Sequence, residues 1–204
     1  MQKGKILNEI TLDDYVKLGT LTEIQKNILI QGISDKKNIL IAGKKGSGKT
    51  DFINALINEM ILTRDRVIIL ENIPKIQSKR GNIMLMKTTN NVNMTILLKT
   101  CMRYRPDRIV TGEICSEEAL DILTAWNTIF PGGMSTITSD TLENALKQLE
   151  SYIQLKSVSK QQELIATTVD YLIFMTKEEE QIKTITIKEI YGFKNGEYIL
   201  KDIK

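Results

Sequence analysis

Short apolar runs alternate with amphipathic stretches along most of the chain. Ile39-Leu40-Ile41-Ala42 and Val67-Ile68-Ile69-Leu70 are continuous and apolar, the pattern of strands buried on both faces. Arg108-Ile109-Val110-Thr111 is a third short strand, and 83–86, 134–138 and 169–175 read as three more. Between them, apolar residues recur at helical spacing. One stripe is Ile53, Leu56, Ile57, Met60 and Ile61, and another is Met94, Leu97, Leu98 and Cys101. A third is Ala119, Ile122, Leu123, Trp126 and Ile129, and a fourth is Leu142, Ala145, Leu146 and Leu149.

The boundaries carry their own signals. Thr11 is an N-cap for a short helix over 12–16, and a second helix over 22–33 stripes Ile24, Ile28 and Leu29. Ser116 is placed to cap the third stripe, and Asp140 with Glu143 resembles a capping box before the fourth. Pro131-Gly132-Gly133 stops one helix, and a further one begins near Ser159. Repeated strand-then-helix units predict a mostly parallel sheet flanked by helices. Near the end the style changes. Residues 182–190 and 198–200 are β-rich, with the hairpin signal Asn195-Gly196 between them. Residues 1–10 read as a loosely held tail and 11–204 as one domain, without internal repeat or linker.

The first apolar run leads directly into Gly43-Lys44-Lys45-Gly46-Ser47-Gly48-Lys49-Thr50, the pattern GxxxxGK[ST]. A glycine-rich turn lets successive backbone N–H groups converge on phosphate oxygens, and the helix that follows adds its own unpaired N–H groups and dipole. Lys49 is then positioned to reach the β- and γ-phosphates, and the Thr50 hydroxyl to ligate Mg²⁺. The expected fold is therefore α/β of the P-loop NTPase kind, with a β-rich C-terminal extension.

Composition changes this picture little. Of the 204 residues, 42% are hydrophobic and 26% charged, which suits a soluble globular domain. Lys and Arg number 28 against 25 Asp and Glu, so the net charge of +3 gives no reason to predict direct nucleic-acid binding. No apolar run reaches the length of a membrane span and no secretory signal is present, so a cytoplasmic location is expected, with peripheral membrane contact left open. The chain has no histidine, which removes every histidine-based mechanism. Cys101 and Cys115 lack metal-ligand spacing and read as small buried side chains rather than a disulfide.

Hydrolysis needs a carboxylate near the phosphates. Glu113 follows the strand 108–111 after Gly112, and Glu71 ends the strand 67–70, so both fall at the carboxyl edge where α/β sheets bind ligands. Lys99, Arg103, Arg105 and Arg108 form the densest basic cluster, read either as a solvated helix face or as a source of an arginine for phosphate charge.

Several strings, taken together, resemble the ATPases of type II and type IV secretion systems. Met102-Arg103-Tyr104-Arg105-Pro106-Asp107-Arg108-Ile109-Val110-Thr111-Gly112-Glu113 is similar to their Walker B segment. The segment from Ala125-Trp126-Asn127 through Pro131-Gly132-Gly133 to Ile137 resembles the TrbB conjugal-transfer ATPases, and Leu70-Glu71-Asn72-Ile73-Pro74 their acidic box. The resemblance implies a RecA-like ATPase domain that binds ATP with Mg²⁺, in a hexameric homo-oligomer working with secretion or conjugation proteins at a membrane channel. It assigns Lys49 and Thr50 to phosphate and Mg²⁺, Glu113 to the Walker B glutamate, with a water-mediated approach to the metal, and Glu71 to the acidic box. Asn72 stands in place of an aspartate, Lys75 of an acidic residue, Thr138 of a histidine and Cys115 of an arginine. The family's N-terminal domain has no counterpart before Thr11, so either a minimal or truncated member is expected, or one whose missing domain another chain supplies. Two functions follow: an ATP-hydrolysing motor subunit, or a nucleotide-binding assembly or regulatory subunit with little hydrolysis. A DNA translocase or small-molecule kinase is the weaker third.

Overall fold

The computed structural model describes residues 10–76, 81–159, 161–178 and 181–204. Its strands are β1 (Ile39–Gly43), β2 (Val67–Glu71), β3 (Ile83–Lys87), β4 (Arg108–Thr111), β5 (Met134–Thr138), β6 (Tyr171–Glu178), β7 (Gln181–Lys194) and β8 (Glu197–Ile203). They form one sheet in the order β3-β2-β4-β5-β1-β6-β7-β8. The first six pair in parallel, as the strand–helix alternation predicts, and β7 and β8 add an antiparallel edge. The C-terminal extension therefore continues the main sheet. Its hairpin turns at Asn195 (φ 55°) and Gly196 (φ 86°), the positive-φ pair that a two-residue turn requires.

Among the described residues, seven helices cover the two faces: α1 (Leu12–Lys17), α2 (Glu23–Ser34), α3 (Lys49–Ile61), α4 (Met94–Met102), α5 (Glu118–Thr128), α6 (Leu142–Gln154) and α7 (Gln162–Thr168). Alternate strand residues divide the core. Leu40, Ala42, Ile68, Leu70 and Ile109 join the cluster built by α4 to α7. Ile39, Ile41, Val67, Ile69 and Val110 join the one built by α1 to α3. A continuous apolar run thus serves both layers, because successive side chains in a strand point to opposite faces. Trp126 fills the first cluster, and its indole N–H donates to the Ile109 carbonyl at 2.9 Å.

Three local expectations change. In α2 the buried positions are Gln25, Leu29, Gly32 and Ile33, while Ile24 faces out, because the Thr22–Gln25 capping box sets the helix rotation. The Gln25 amide also donates to the Ile203 carbonyl, tying α2 to the last strand. α5 starts at Glu118 without a Ser116 side-chain cap, and the buried Glu118 carboxylate accepts the N–H groups of Cys115 and Ser116. α6 is capped by Thr141, whose hydroxyl accepts the Asn144 N–H at 3.1 Å, and not by Asp140. Cys101 is buried as expected, Cys115 is exposed, and both are free thiols. Residues 1–9 of the expected N-terminal tail lie outside the described residues.

Candidate functional site

β1 ends at Gly43 and α3 begins at Lys49, so the eight-residue loop spans the carboxyl edge of a central strand and a helix N-terminus. Two glycines set its path. Gly43 passes so close to the Met175 carbonyl and the Ser47 hydroxyl that a Cβ there would lie 2.5 Å from each. Gly48 holds the left-handed conformation (φ 91°) immediately before α3, where a Cβ is disfavoured. Lys44 and Lys45 are exposed, so their part in the loop is mainly through the backbone, whereas Ser47 is buried behind it.

Lys49 differs from both of these lysines. It is only 8% exposed, and its ammonium donates to the carbonyls of Gly43 at 2.7 Å and Lys44 at 2.9 Å. Burial pushes its pKa below the usual lysine range; the Glu113 charge opposes that shift and Lys75 adds to it. A cation held here gains most when phosphate charge arrives to neutralise it.

The other side of the site comes from β2, β4 and β5. Glu113 leaves the end of β4, and the Thr138 hydroxyl, at the end of β5, donates to its carboxylate at 2.7 Å. Sequence reasoning treated Thr138 only as a missing histidine. The signal that it pairs with Glu113 was the common ending of two neighbouring strands, which requires strand order to see. Behind this pair the buried Thr111 hydroxyl donates to Ser135, and Thr136 to the Gly112 carbonyl. Glu71 is buried at the end of β2, where its carboxylate accepts the N–H groups of Lys75 (3.0 Å) and Ile76 (3.1 Å). It packs so tightly on Gly112 that a Cβ there would lie 2.9 Å from Oε1. Asn72 turns its amide to the Cys115 sulfur at 3.8 Å.

A cavity of about 950 Å³ joins these parts. Its polar lining includes Gly46 to Thr50, Glu71, Asn72, Glu113, Thr136 and Thr138, and its apolar lining includes Ile10, Leu18 and Ile53. Every site residue named from the sequence beyond Gly43 and Lys44 is therefore a wall of one cavity, apart from the basic cluster. Arg103, Arg105 and Arg108 lie before or at the start of β4, at the opposite end from Glu113. Arg108 is 1% exposed and bonded to Asp65 at 2.6 Å, which makes it a structural cation.

Residues 5–181 match the family described as type II/IV secretion system protein. The chain belongs to this family. It is 40% and 39% identical to the TrbB conjugal transfer proteins of Sinorhizobium fredii and Rhizobium radiobacter, over 191 residues in each case. Those alignments cover 93% of this chain and 59% of each relative, so the chain spans less than two thirds of the relatives' length. Among solved structures, the VirB11 ATPase of the Brucella suis type IV secretion system, crystallised with sulphate, superimposes with a TM-score of 0.71. That match covers 90% of this chain and 64% of the other at 20% identity, a likeness of fold. The family and the α/β fold expected from the sequence are both established.

Proposed function

We propose that the chain is an ATP-hydrolysing motor domain of a conjugative or type IV secretion apparatus, acting as one subunit of a hexameric homo-oligomer. The observation that carries this reading is the convergence of buried Lys49 and the Thr138-held Glu113 on one cavity, at the carboxyl ends of β1, β4 and β5. The loop N–H groups and the start of α3 receive the phosphates, and Lys49 offsets their charge. The nucleotide's flat base would pack on apolar lining residues such as Ile10, Leu18 and Ile53. Glu113 orients the attacking water and accepts its proton, while Thr138 fixes the carboxylate. Glu71 completes the acidic side of the cavity and holds the 71–76 loop in place.

The residues present also fit Mg²⁺. Thr50 and Glu113 line the same cavity, where the hydroxyl would ligate the ion and the carboxylate would approach it through water. Among the described residues no group of three or more His, Cys, Asp or Glu could form a protein-only metal cage. An ion held there chiefly by phosphate oxygens and water would supply charge neutralisation at the phosphates. No helix among the described residues is long and apolar enough to cross a membrane. On the motor reading the domain works in the cytoplasm, in peripheral contact with the membrane and with other apparatus proteins.

A second reading is a regulatory or assembly subunit that binds nucleotide with little turnover. Asn72 favours it, since an amide turned toward Cys115 cannot supply the negative charge of an aspartate. Binding of a fluorescent ATP analogue, with Mg²⁺, to the wild type and to Glu113→Gln separates the two. The motor reading predicts similar binding and a single round of γ-phosphate cleavage in the wild type alone. Equal binding with no cleavage in either protein favours the regulatory reading, and no binding removes both.

A further inference from the structure

The end of the sheet opposite the nucleotide cavity carries a second organised surface. α2, α3, α4 and α5 all finish there, and the turns at 35–37, 62–66, 103–108 and 129–133 lead into the next strands or their loops. These turns are stitched together. Arg108 bonds Asp65 at 2.6 Å, the Arg66 N–H donates to Asp107 at 2.8 Å, and Lys36 lies 3.9 Å from Asp65. Gly132 packs so closely that a Cβ would meet Arg108 Nη1 at 2.5 Å and Lys36 Cα at 3.1 Å.

Two features of this knot go beyond the ion pairs and hydrogen bonds that join its turns. Lys36, Arg64 and Arg105 have positive φ of 57°, 64° and 51°, the left-handed conformation that usually selects glycine or asparagine after a helix. A long cation at each position accepts a steric cost that glycine would avoid. A favourable meeting with the helix C-terminal dipole accounts for a cation near these ends but not for its placement on the strained residue itself. Second, apolar side chains stand out beside the cations: Leu62 is 75% exposed, Ile129 57% and Tyr104 45%. The four turns together hold seven Lys and Arg against three Asp, an excess larger than the net +3 of the whole chain. Arg64, Arg103 and Arg105 form no ion pair among the described residues.

We infer that this end is a docking surface for an anionic lipid bilayer, with Leu62, Tyr104 and Ile129 entering the interface and the three free guanidiniums meeting headgroup phosphates. Charge complementarity names the partner, and the apolar tips favour a bilayer over a nucleic acid, whose backbone offers them no apolar phase. Tyrosine, with an apolar ring and a polar tip, suits the headgroup level. Docked this way, the nucleotide cavity faces away from the membrane. The inference deepens the peripheral contact proposed above and rests on that part of the reading alone.

The test is flotation of the full chain with vesicles of phosphatidylcholine, with and without phosphatidylglycerol, in the absence of nucleotide. Each arginine near an anionic surface contributes about fivefold in partitioning. The variant Arg64→Gly/Arg103→Gln/Arg105→Gly should therefore lose about a hundredfold in affinity for anionic vesicles. Its Tm should be unchanged or raised, since two strained positions are relieved. Leu62→Ser/Ile129→Ser should weaken binding several-fold, and Lys188→Gln/Lys201→Gln on the far hairpin should leave it intact. Absence of vesicle binding, equal binding to neutral vesicles, or full binding by the triple arginine variant overturns the inference. So does a lowered Tm with binding unchanged, which would make the arginines structural caps. Tight duplex-DNA binding lost in the triple variant, without vesicle binding, would reassign the surface. Since no turnover is read, these outcomes are separate from the hydrolysis reading.

Discussion

Removing Asp65 should leave a buried cation without its counter-charge. Arg108 is 1% exposed, and its Nη1 has no hydrogen-bond partner, so the 2.6 Å bond from Nε to Asp65 carries its neutralisation. Stripping one member from a buried pair costs about 3–5 kcal/mol. The Asp65 side chain is 18% exposed, so water can enter beside it, and about 3 kcal/mol is the reasoned figure for Asp65→Ala. For a chain of this length that lowers Tm by about 6–12 °C. Equilibrium urea unfolding followed by circular dichroism reads the change directly. The double variant Asp65→Leu/Arg108→Met removes both charges, and should recover most of the loss. The pH dependence has a defined sign. Burial raises the Asp65 pKa, but the Arg108 hydrogen bond and charge outweigh it, and the folded value lies below the ordinary 3.8. The pair's contribution is thus complete above the unfolded carboxyl pKa and is lost as pH falls through the depressed folded value. A cost below about 1 kcal/mol, or a double variant no better than Asp65→Ala, would refute the reasoning.

Two further substitutions test the site and its support. Thr138→Val should lower turnover about two- to tenfold with nucleotide affinity kept, because an exposed hydrogen bond contributes about 0.5–1.5 kcal/mol; Thr138→Ser should restore it. A matched fall in affinity would show that Thr138 serves binding instead. Gly133→Ala would place a Cβ 2.1 Å from the Trp126 ring, and should destabilise the fold by about 1–3 kcal/mol with a shift in tryptophan fluorescence. An unchanged Tm would mean that the loop before β5 moves freely, against the packing described.

The strands and helices were legible because their periodicities differ and because turn chemistry marks their ends. Val67 to Leu70 could be recognised as doubly buried from four apolar residues in a row, and Asn195-Gly196 announced its hairpin. Lys49 and Thr50 were legible because a phosphate loop is local: all its parts lie within eight residues. Relations between segments were hidden. Glu113 and Thr138 are 25 residues apart, and Arg108 and Asp65 are 43 apart, so only the strand order brings them together. The same limit left the role of Arg103 and Arg105 open in the sequence, until the direction of β4 set them at the far end from Glu113. Caps misread for a related reason. Ser116 and Asp140 are good capping residues by type, yet Glu118 and Thr141 hold the backbone N–H groups, since geometry chooses among neighbouring candidates.

The central claim, that this cavity hydrolyses ATP in an assembled ring, is tested most directly by steady-state ATP turnover with Mg²⁺ across a protein concentration series. Wild type, Lys49→Ala and Glu113→Gln should be run side by side. The account predicts turnover that rises cooperatively with concentration and disappears in both variants, with nucleotide binding lost in Lys49→Ala and kept in Glu113→Gln. Turnover at background throughout the series, or turnover that survives Glu113→Gln, would contradict it.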